Sequence, residues 1–264
     1  LLSIVTKLDL YQVDSFASEI FSGNPAAVIF SSPLDDKLMQ NIALENNLSE
    51  TAFVAEKDNS FTIRFFSPLV EVDLCGHATL AAAHIYFSEI DKEADHINFI
   101  SNRGELRVTR NSEFIFLDFP KDTFEPLEID TKLIEMLGVT PLEAFKGKDD
   151  IMCIFNNESS VANIDPNMHL LKNYPVRGLI ASAPGRSVDF VSRCFFPSTG
   201  VDEDPVTGSA HTTLTPYWTS ILNKEDLTAH QISLRGGLLN CREAGDRVII
   251  GGRAVTYMKG AIFI

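Results

Sequence analysis

The residues best suited to chemistry lie in two short segments, one in each half of the chain. Gly76-His77 opens an apolar run in the first half, and Thr207-Gly208-Ser209 opens another in the second half. At a helix start, free backbone N–H groups and the helix dipole favour a negatively charged ligand such as a carboxylate. Each segment therefore predicts either an anion-binding helix start or ordinary helix capping.

Two carboxyl groups and one imidazole accompany these segments. Glu50 lies among apolar residues that would suit it to proton transfer near neutral pH, although many strand glutamates simply face solvent. Asp204 precedes the second segment and could cap a helix or act as an acid. His77 could relay a proton to a substrate or be a hydrogen-bonded core histidine.

Cys75 directly precedes the first segment, where a thiol at a helix start could act as a base. A racemase with two thiol bases would require a second cysteine in the matching place. The residue that precedes Gly208 is Thr207, whose hydroxyl is far too weak an acid for that role. Cys75 is therefore predicted to be a packed core residue.

Several common site types have no matching motif. Ser209 and His211 have the residue types of a hydrolase, but no G-x-S-x-G motif surrounds the serine. Neither a dinucleotide fingerprint nor a P-loop is present. The four cysteines are far apart and form no CxxC pair, which argues against a zinc site and a disulfide framework. The sequence thus predicts no metal and no cofactor.

The composition of the 264-residue chain limits its partners. A net charge of −14 without a basic patch argues against nucleic acid and anionic membranes. The longest uncharged stretch, residues 205–223, contains Pro216 and His211, which argues against a membrane span. Acidic residues near the N-terminus interrupt any apolar run of the signal-peptide type. A cytoplasmic protein with reduced thiols is expected.

Apolar patterns predict the elements that hold these residues. In the first half they indicate a helix at residues 35–47, a buried helix at 76–88, and strands at 8–16, 26–30, 49–54, 61–66, 97–100, 105–109 and 114–119. In the second half they indicate helices at 131–137 and 208–222 and strands at 151–155, 178–183, 188–196, 232–234, 238–241 and 247–250.

The two halves follow one plan. A strand ending in Phe65-Phe66 before the Gly76 segment matches a strand ending in Phe195-Phe196 before the Gly208 segment. We therefore expect an α+β protein of two similar domains, 1–119 and 131–264, joined by a linker at 120–130, with the last strand free to return to the first domain. Each domain is expected to wrap a strongly curved, mostly antiparallel sheet around its buried central helix.

Taken together, these segments resemble the phenazine-biosynthesis isomerase (PhzF-like) family. The resemblance rests on Val13-Asp14-Ser15-Phe16 with Gly23–Val28, Ser49–Phe53, Leu74–Ala82, and Glu203–His211 with Pro216-Tyr217-Trp218. It implies a diaminopimelate-epimerase-like fold of two similar domains with the active site between them. It also implies a homodimer, as a family expectation.

The resemblance implies proton transfer without a cofactor on a small carboxylate substrate. Glu50 would take a proton from an acidic carbon and return it elsewhere, and His77, Asp204 and Ser209 would be the other catalytic positions. The remaining positions implied to bind substrate are Asn24, Gly76, Thr207 and Gly208. Two alternatives stay open: an epimerase or racemase acting on opposite faces of one carbon, and a non-catalytic protein that binds a small ligand or a partner.

Overall fold

The computed structural model describes residues 6–57 and 60–264, which form two compact units. One unit contains the described residues up to Asp118 together with Gly251–Ile264, and the other contains Phe119–Ile250. Each unit has a mixed β-sheet and few helices. Within the described ranges, no helix is both long enough and apolar enough to span a membrane.

The elements of the first half follow the predicted order. They are β1 (Lys7–Ser15), β2 (Asn24–Phe30), α1 (Asp36–Asn46), β3 (Glu50–Lys57), β4 (Ser60–Phe66), β5 (Glu71–Val72), α2 (Gly76–Ile85), β6 (His96–Ser101), β7 (Gly104–Asn111) and β8 (Phe114–Pro120). Asp35 caps α1 by accepting from Leu38 N, as predicted. The helix predicted to end near Ser88 is α-helical to Ile85 and continues as a π-helical turn to Ile90.

The second half contains more elements than the sequence predicted. They are β9 (Phe124–Pro126), α3 (Thr131–Leu137), β10 (Glu143–Gly147), β11 (Asp150–Ile154), α4 (Glu158–Ala162), α5 (Met168–Lys172), β12 (Gly178–Pro184), β13 (Phe190–Phe196), β14 (Val201–Asp204), α6 (His211–Leu222), β15 (Asp226–Gln231), β16 (Gly237–Ala244) and β17 (Arg247–Gly252), and the final strand is β18 (Ala254–Phe263).

Three predictions in this half are wrong in part. Residues 232–234 are not a strand, because Ser233 Oγ donates to Pro205 O at 2.7 Å and accepts from Gly236 N at 3.0 Å, which makes a turn. The segment predicted as a linker contains β9, whose Phe124 packs against Phe145 with ring centroids 5.3 Å apart. The helix predicted from Gly208 begins at His211, after a hydrogen-bonded turn.

Strand pairing confirms the internal repeat. In the first unit, β2–β3 is parallel, β3–β4 and β4–β5 are antiparallel, β4–β6 is parallel and β6–β7 is antiparallel. The second unit shows the same sequence of pairings in β11–β12, β12–β13, β13–β14, β13–β15 and β15–β16. Within this plan, α2 and α6 follow the equivalent strands β5 and β14.

Helix α2 is buried almost completely, as predicted from its apolar faces. It contacts β1, β2, β3 and β18 of its own unit. Its run of small residues, Ala81-Ala82-Ala83, has no exposed surface, so strands can approach the helix closely. At Gly252 a Cβ atom would lie 2.4 Å from Phe16 Cδ1, which explains why the residue there lacks a side chain.

Helix α6 contains a proline without losing a hydrogen bond. Pro216 has no N–H, so it cannot donate to the carbonyl of Thr212 one turn earlier. Asp122 N donates to that carbonyl instead, at 3.3 Å, and Thr213 Oγ1 donates to Asp122 Oδ2 at 2.9 Å. These contacts fix the start of α6 to the strand-linking segment of its own unit.

Candidate functional site

In the first unit, the candidate residues converge at the start of α2. Glu50 is the first residue of β3, and Gly76 and His77 are the first two of α2. His77 Nε2 lies 3.2 Å from Glu50 Oε2, and His77 Nδ1 lies 3.5 Å from Cys75 Sγ. Only 7% of the His77 side chain and 18% of the Glu50 side chain are exposed. The sequence-predicted Glu50 and His77 are therefore direct neighbours.

Two side-chain hydroxyl groups hold the start of α2 by donating hydrogen bonds to backbone carbonyls. Ser15 Oγ donates to His77 O at 2.7 Å, and Thr79 Oγ1 donates to Cys75 O at 2.6 Å. Cys75 forms the N-cap without a side-chain cap hydrogen bond. The first N–H groups of α2 therefore keep their capacity to bind an anion.

Asn24 contacts Ser49, the residue that precedes Glu50 in the chain. It is fully buried, and Ser49 Oγ donates to its Oδ1 across a long 3.5 Å contact. The parallel register of β2 and β3 places Ala26 opposite Glu50, so Asn24 and Glu50 stand at the same end of the strand pair. Sequence analysis grouped Asn24 with the site by resemblance, and the structure places it near Glu50.

The charge on His77 follows from its two neighbours. Burial alone would lower the pKa of His77, but Cys75 and Glu50 outweigh burial and raise that pKa well above its usual value. Glu50 Oε2 is buried and contacts His77 Nε2 at 3.2 Å as an ion pair, without a well-directed hydrogen bond among the described residues.

Cys75 is the residue of this group that sequence reasoning set aside. It is buried, as predicted, but its sulfur faces His77 rather than only apolar side chains. Burial, and then the neighbouring Glu50, raise the pKa of Cys75 to about 11. The prediction of a purely packing role is incomplete.

In the second unit, Asp204 and Thr207 are joined through side chains. Thr207 Oγ1 donates to Asp204 Oδ2. Gln231, which is fully buried, holds the same loop because its Oε1 accepts from Thr207 N at 2.8 Å and its Nε2 donates to Asp204 O at 2.7 Å. Sequence analysis missed Gln231, since nothing in its own neighbourhood marks it.

Ser209 stands in the turn that precedes α6, next to an ion pair. Arg177 Nη2 lies 3.4 Å from Ser209 Oγ, and Arg177 Nε donates to Asp150 Oδ1 at 2.9 Å. Burial lowers the pKa of Arg177, but Asp150 more than compensates, so the guanidinium stays charged. Arg177 was not predicted from the sequence, although the internal repeat holds a signal: when Phe65-Phe66 is aligned with Phe195-Phe196, the strand pairings match Arg177 to Glu50.

Ser209 and His211 do not form a nucleophile and base. His211 Nδ1 lies 2.8 Å from Thr207 O, and its Nε2 has no hydrogen-bond partner in the part of the chain that the structure describes. Burial lowers the pKa of His211 to about 4, so the ring is neutral near pH 7. His211 therefore packs in the core beneath the turn, which agrees with the absence of a hydrolase motif.

Comparisons with known proteins identify the family and the fold. The family model described as phenazine biosynthesis-like protein matches residues 13–260. An uncharacterized isomerase of Pseudomonas aeruginosa is 48% identical over 97% of this chain and 98% of its own length. The crystal structure of a PhzF-family phenazine biosynthesis protein from Enterococcus faecalis is 44% identical, with a TM-score of 0.95 over 98% of this chain and 100% of that one. A predicted epimerase from Pseudomonas aeruginosa shares the fold, with a TM-score of 0.77 at 19% identity over 97% and 99% of the two chains.

Proposed function

This chain belongs to the phenazine biosynthesis-like (PhzF) family, and on that premise we propose that it is a cofactor-independent isomerase acting on a small carboxylate substrate. Family membership and the relative named as an isomerase support an enzyme of the isomerase or epimerase type. The observation that carries the finer proposal is the pair formed by Glu50 Oε2, a buried carboxyl oxygen, and His77 Nε2, which lies 3.2 Å from it.

In the proposed reaction, Glu50 removes a proton from a carbon made acidic by conjugation. The electron pair of the broken C–H bond moves into the conjugated system of the substrate, and the same carboxyl group returns the proton at a second carbon. His77 keeps a positive charge beside the carboxylate while Glu50 is ionised. No atom or electron is gained or lost, so the product is an isomer.

The other proposed roles follow the resemblance and the local geometry. Backbone N–H groups at Gly76 bind a substrate carboxylate, because α2 begins without a side-chain cap. Asn24 assists binding in the same unit. In the second unit, Asp204 and Ser209 are proposed as catalytic, and the buried residues that we propose to bind substrate there are Thr207 and Gly208.

The repeat favours one base over two. A two-base epimerase built on this plan would place a second acid or base at the start of β12, where Glu50 stands at the start of β3. The register that aligns Phe65-Phe66 with Phe195-Phe196 puts Arg177, a cation, at the position of Glu50. The Cys75 thiol lies within 4.8 Å of the Glu50 carboxyl group. The two groups are therefore too close together to act on opposite faces of one carbon. A single-base isomerase therefore has the better support.

Hydrogen exchange tests this proposal directly. Candidate small carboxylates are incubated with the protein in deuterated water, and exchange and product formation are followed by NMR. We expect deuterium incorporation that Glu50→Gln abolishes and that Glu45→Gln, a change at an exposed glutamate of α1, leaves intact. Exchange that survives Glu50→Gln contradicts the proposed base. Inversion of a stereocentre identifies an epimerase, and binding without exchange identifies a non-catalytic protein.

A further inference from the structure

Three side chains of different chemistry meet at the start of α2. The carboxylate of Glu50, the thiol of Cys75 and the imidazole of His77 place one donor atom each within 4.8 Å of one another. Among the residues that the structure describes, this is the only group of three or more His, Cys, Asp or Glu side chains close enough to hold a metal ion. Cys75 and His77 are buried, and Glu50 is half-buried.

We propose that Glu50, Cys75 and His77 form a binding site for a zinc-class divalent cation. Zn²⁺ binds thiolate sulfur, imidazole nitrogen and carboxylate oxygen, and three such ligands leave a fourth position for water or an anion. The cation would bind the Glu50 carboxylate, which we propose as the catalytic base. A bound cation therefore blocks the isomerase chemistry, and this second part of the inference rests on the proposed function.

The distances among these atoms suit a tetrahedral ion. Metal–ligand bonds of about 2.0 to 2.3 Å at tetrahedral angles separate the ligand atoms by about 3.3 to 3.8 Å. His77 Nε2 lies 3.2 Å from Glu50 Oε2 and 3.9 Å from Cys75 Sγ. Nε2 is therefore the nitrogen that reaches both of the other ligands, and shifts of a few tenths of an ångström would bring those two contacts into range.

The surroundings also hold the ligand atoms in place for an ion. Glu50 Oε2 is buried and, among the described residues, has an ion-pair contact with His77 Nε2 but no well-directed hydrogen bond, so a cation would give this oxygen a directed ligand bond. Cys75 and His77 belong to one helix start, which Ser15 holds through the carbonyl of His77. Two of the three ligands are thus fixed by the fold before any ion binds.

Sequence spacing conceals this site. Zinc sites are commonly recognised by paired cysteines or histidines close in the chain, and this chain has no such pair. Here Glu50 comes from the first residue of a strand, and the other two ligands come from the next helix. The three proposed ligands therefore come together because the strand packs against the helix, not because they are close in the sequence.

Cadmium chloride is the probe for the binding test, because a cadmium–thiolate bond has a charge-transfer absorption in the ultraviolet. Titration of the complete chain is expected to give one cadmium ion per chain and an absorption that zinc chloride reverses by competition. Cys75→Ser is expected to abolish the absorption. Glu50→Gln and His77→Asn are expected to weaken cadmium binding at least about tenfold.

Cys153→Ala is the matched control, because Cys153 is fully buried in the second unit and lies outside the proposed site. It should keep the absorption and the affinity. Circular dichroism and thermal unfolding of each metal-free variant separate loss of a ligand from loss of the fold. An absorption that is absent in the wild type, or that persists in folded Cys75→Ser, overturns the site.

A second measurement tests the block on catalysis. Zinc chloride is added to the hydrogen-exchange assay, and exchange is expected to fall in proportion to site occupancy and to return when a chelator is added. Full exchange at saturating zinc overturns the inhibitory role while leaving the site. Since cadmium binding is measured without substrate, it remains decisive even if no substrate exchanges, and a failure of the proposed reaction is thus distinguishable from a failure of the metal site.

Discussion

His77 is the charged residue on which the first unit's candidate site depends. Burial lowers its pKa, but Cys75 and Glu50 raise it well above the usual value, so folding increases proton affinity at this position. The resulting stability is fully present below the pKa of an unfolded histidine, about 6.5, and is lost as the pH rises through the raised folded pKa. Alkaline pH should therefore weaken the contact between His77 and Glu50.

We expect His77→Asn to lower the free energy of unfolding most below the unfolded histidine pKa of about 6.5, and progressively less as the pH rises above it. Urea unfolding of both proteins across this range measures the difference. His169→Asn, at an exposed histidine of α5, is the control and should change little at any pH. A difference between wild type and His77→Asn that stays constant with pH would contradict the raised pKa.

Arg177 offers a test in the second unit. It pairs with Asp150, of which only 6% is exposed, and its guanidinium also lies over the ring of Phe196 at 5.3 Å. Arg177→Met leaves the buried carboxylate unpaired. The Arg177 side chain is itself 38% exposed, so we expect a loss of about 2 kcal/mol, between the values for exposed and for fully buried pairs.

Adding Asp150→Asn to Arg177→Met should restore part of this loss, because the double variant no longer buries an unpaired charge. Urea unfolding of the two single variants and the double variant measures the coupling. If the double variant is no more stable than Arg177→Met, the cost comes from packing against Phe196 rather than from the charge.

Whether a site residue could be predicted from the sequence depends on how far along the chain its contacts lie. Glu50, Gly76 and His77 could be proposed from their types and near neighbours. Arg177 and Gln231 could not, because the contacts that matter join residues 32 positions apart in one case and 24 in the other. Cys75 is buried as predicted, but its position within 4.8 Å of Glu50 could not be predicted, because it depends on how a strand packs on a helix.

In the loop between β1 and β2, a positive φ and a close backbone contact both require glycine at position 23. Gly23 has a φ of +66°, and a Cβ atom there would lie 2.2 Å from Ser15 O. Ser15 in turn donates to the carbonyl of His77. Because the clash is with backbone, a side chain at position 23 must displace the residue that holds the start of α2.

We expect Gly23→Ala to destabilise the protein by at least about 2 kcal/mol and to reduce activity, since positive φ and a backbone clash act together. Gly245→Ala is the matched control: its φ is +69°, but nothing lies within 4 Å of the added Cβ, so only the φ cost of about 1 kcal/mol applies. Thermal and urea unfolding compare the two. Equal losses in both variants would show that the clash at Gly23 relaxes freely.

Elements with local signals could be predicted well. Residues 131–137 were correctly predicted as an amphipathic helix ending at Gly138, which lies in the left-handed region, and the structure adds an N-cap at Asp130. Short strands such as β5 and β14 carry few residues, and pairing partners far along the chain define them. Residues 232–234 are apolar enough for a strand, but hydroxyl and glycine contacts form a turn there.

For the molecule as a whole, the repeat separates a shared scaffold from different chemistry. The two units show the same order of strand pairings, yet the start of β3 carries a carboxyl group and the start of β12 carries glycine preceded by arginine. Duplication of a plan therefore does not imply duplication of a base. Sequence comparison of the halves detected the plan from a few aromatic and glycine positions, but strand pairing was needed to align the functional positions.

The net charge of −14 for the whole chain predicts how activity depends on salt concentration. A protein of this charge repels an anionic substrate over a Debye length of about 30 Å at 0.01 M salt and only about 8 Å at 0.15 M. We therefore expect kcat/KM for an exchanging carboxylate to rise severalfold between these salt concentrations, because screening weakens the long-range repulsion while the N–H groups at Gly76 act at contact distance. The uncharged methyl ester of the same compound is the control and should bind with little salt dependence. A fall in kcat/KM with added salt would contradict this expectation, because it would mean that positive potential close to the site outweighs the charge of the whole chain.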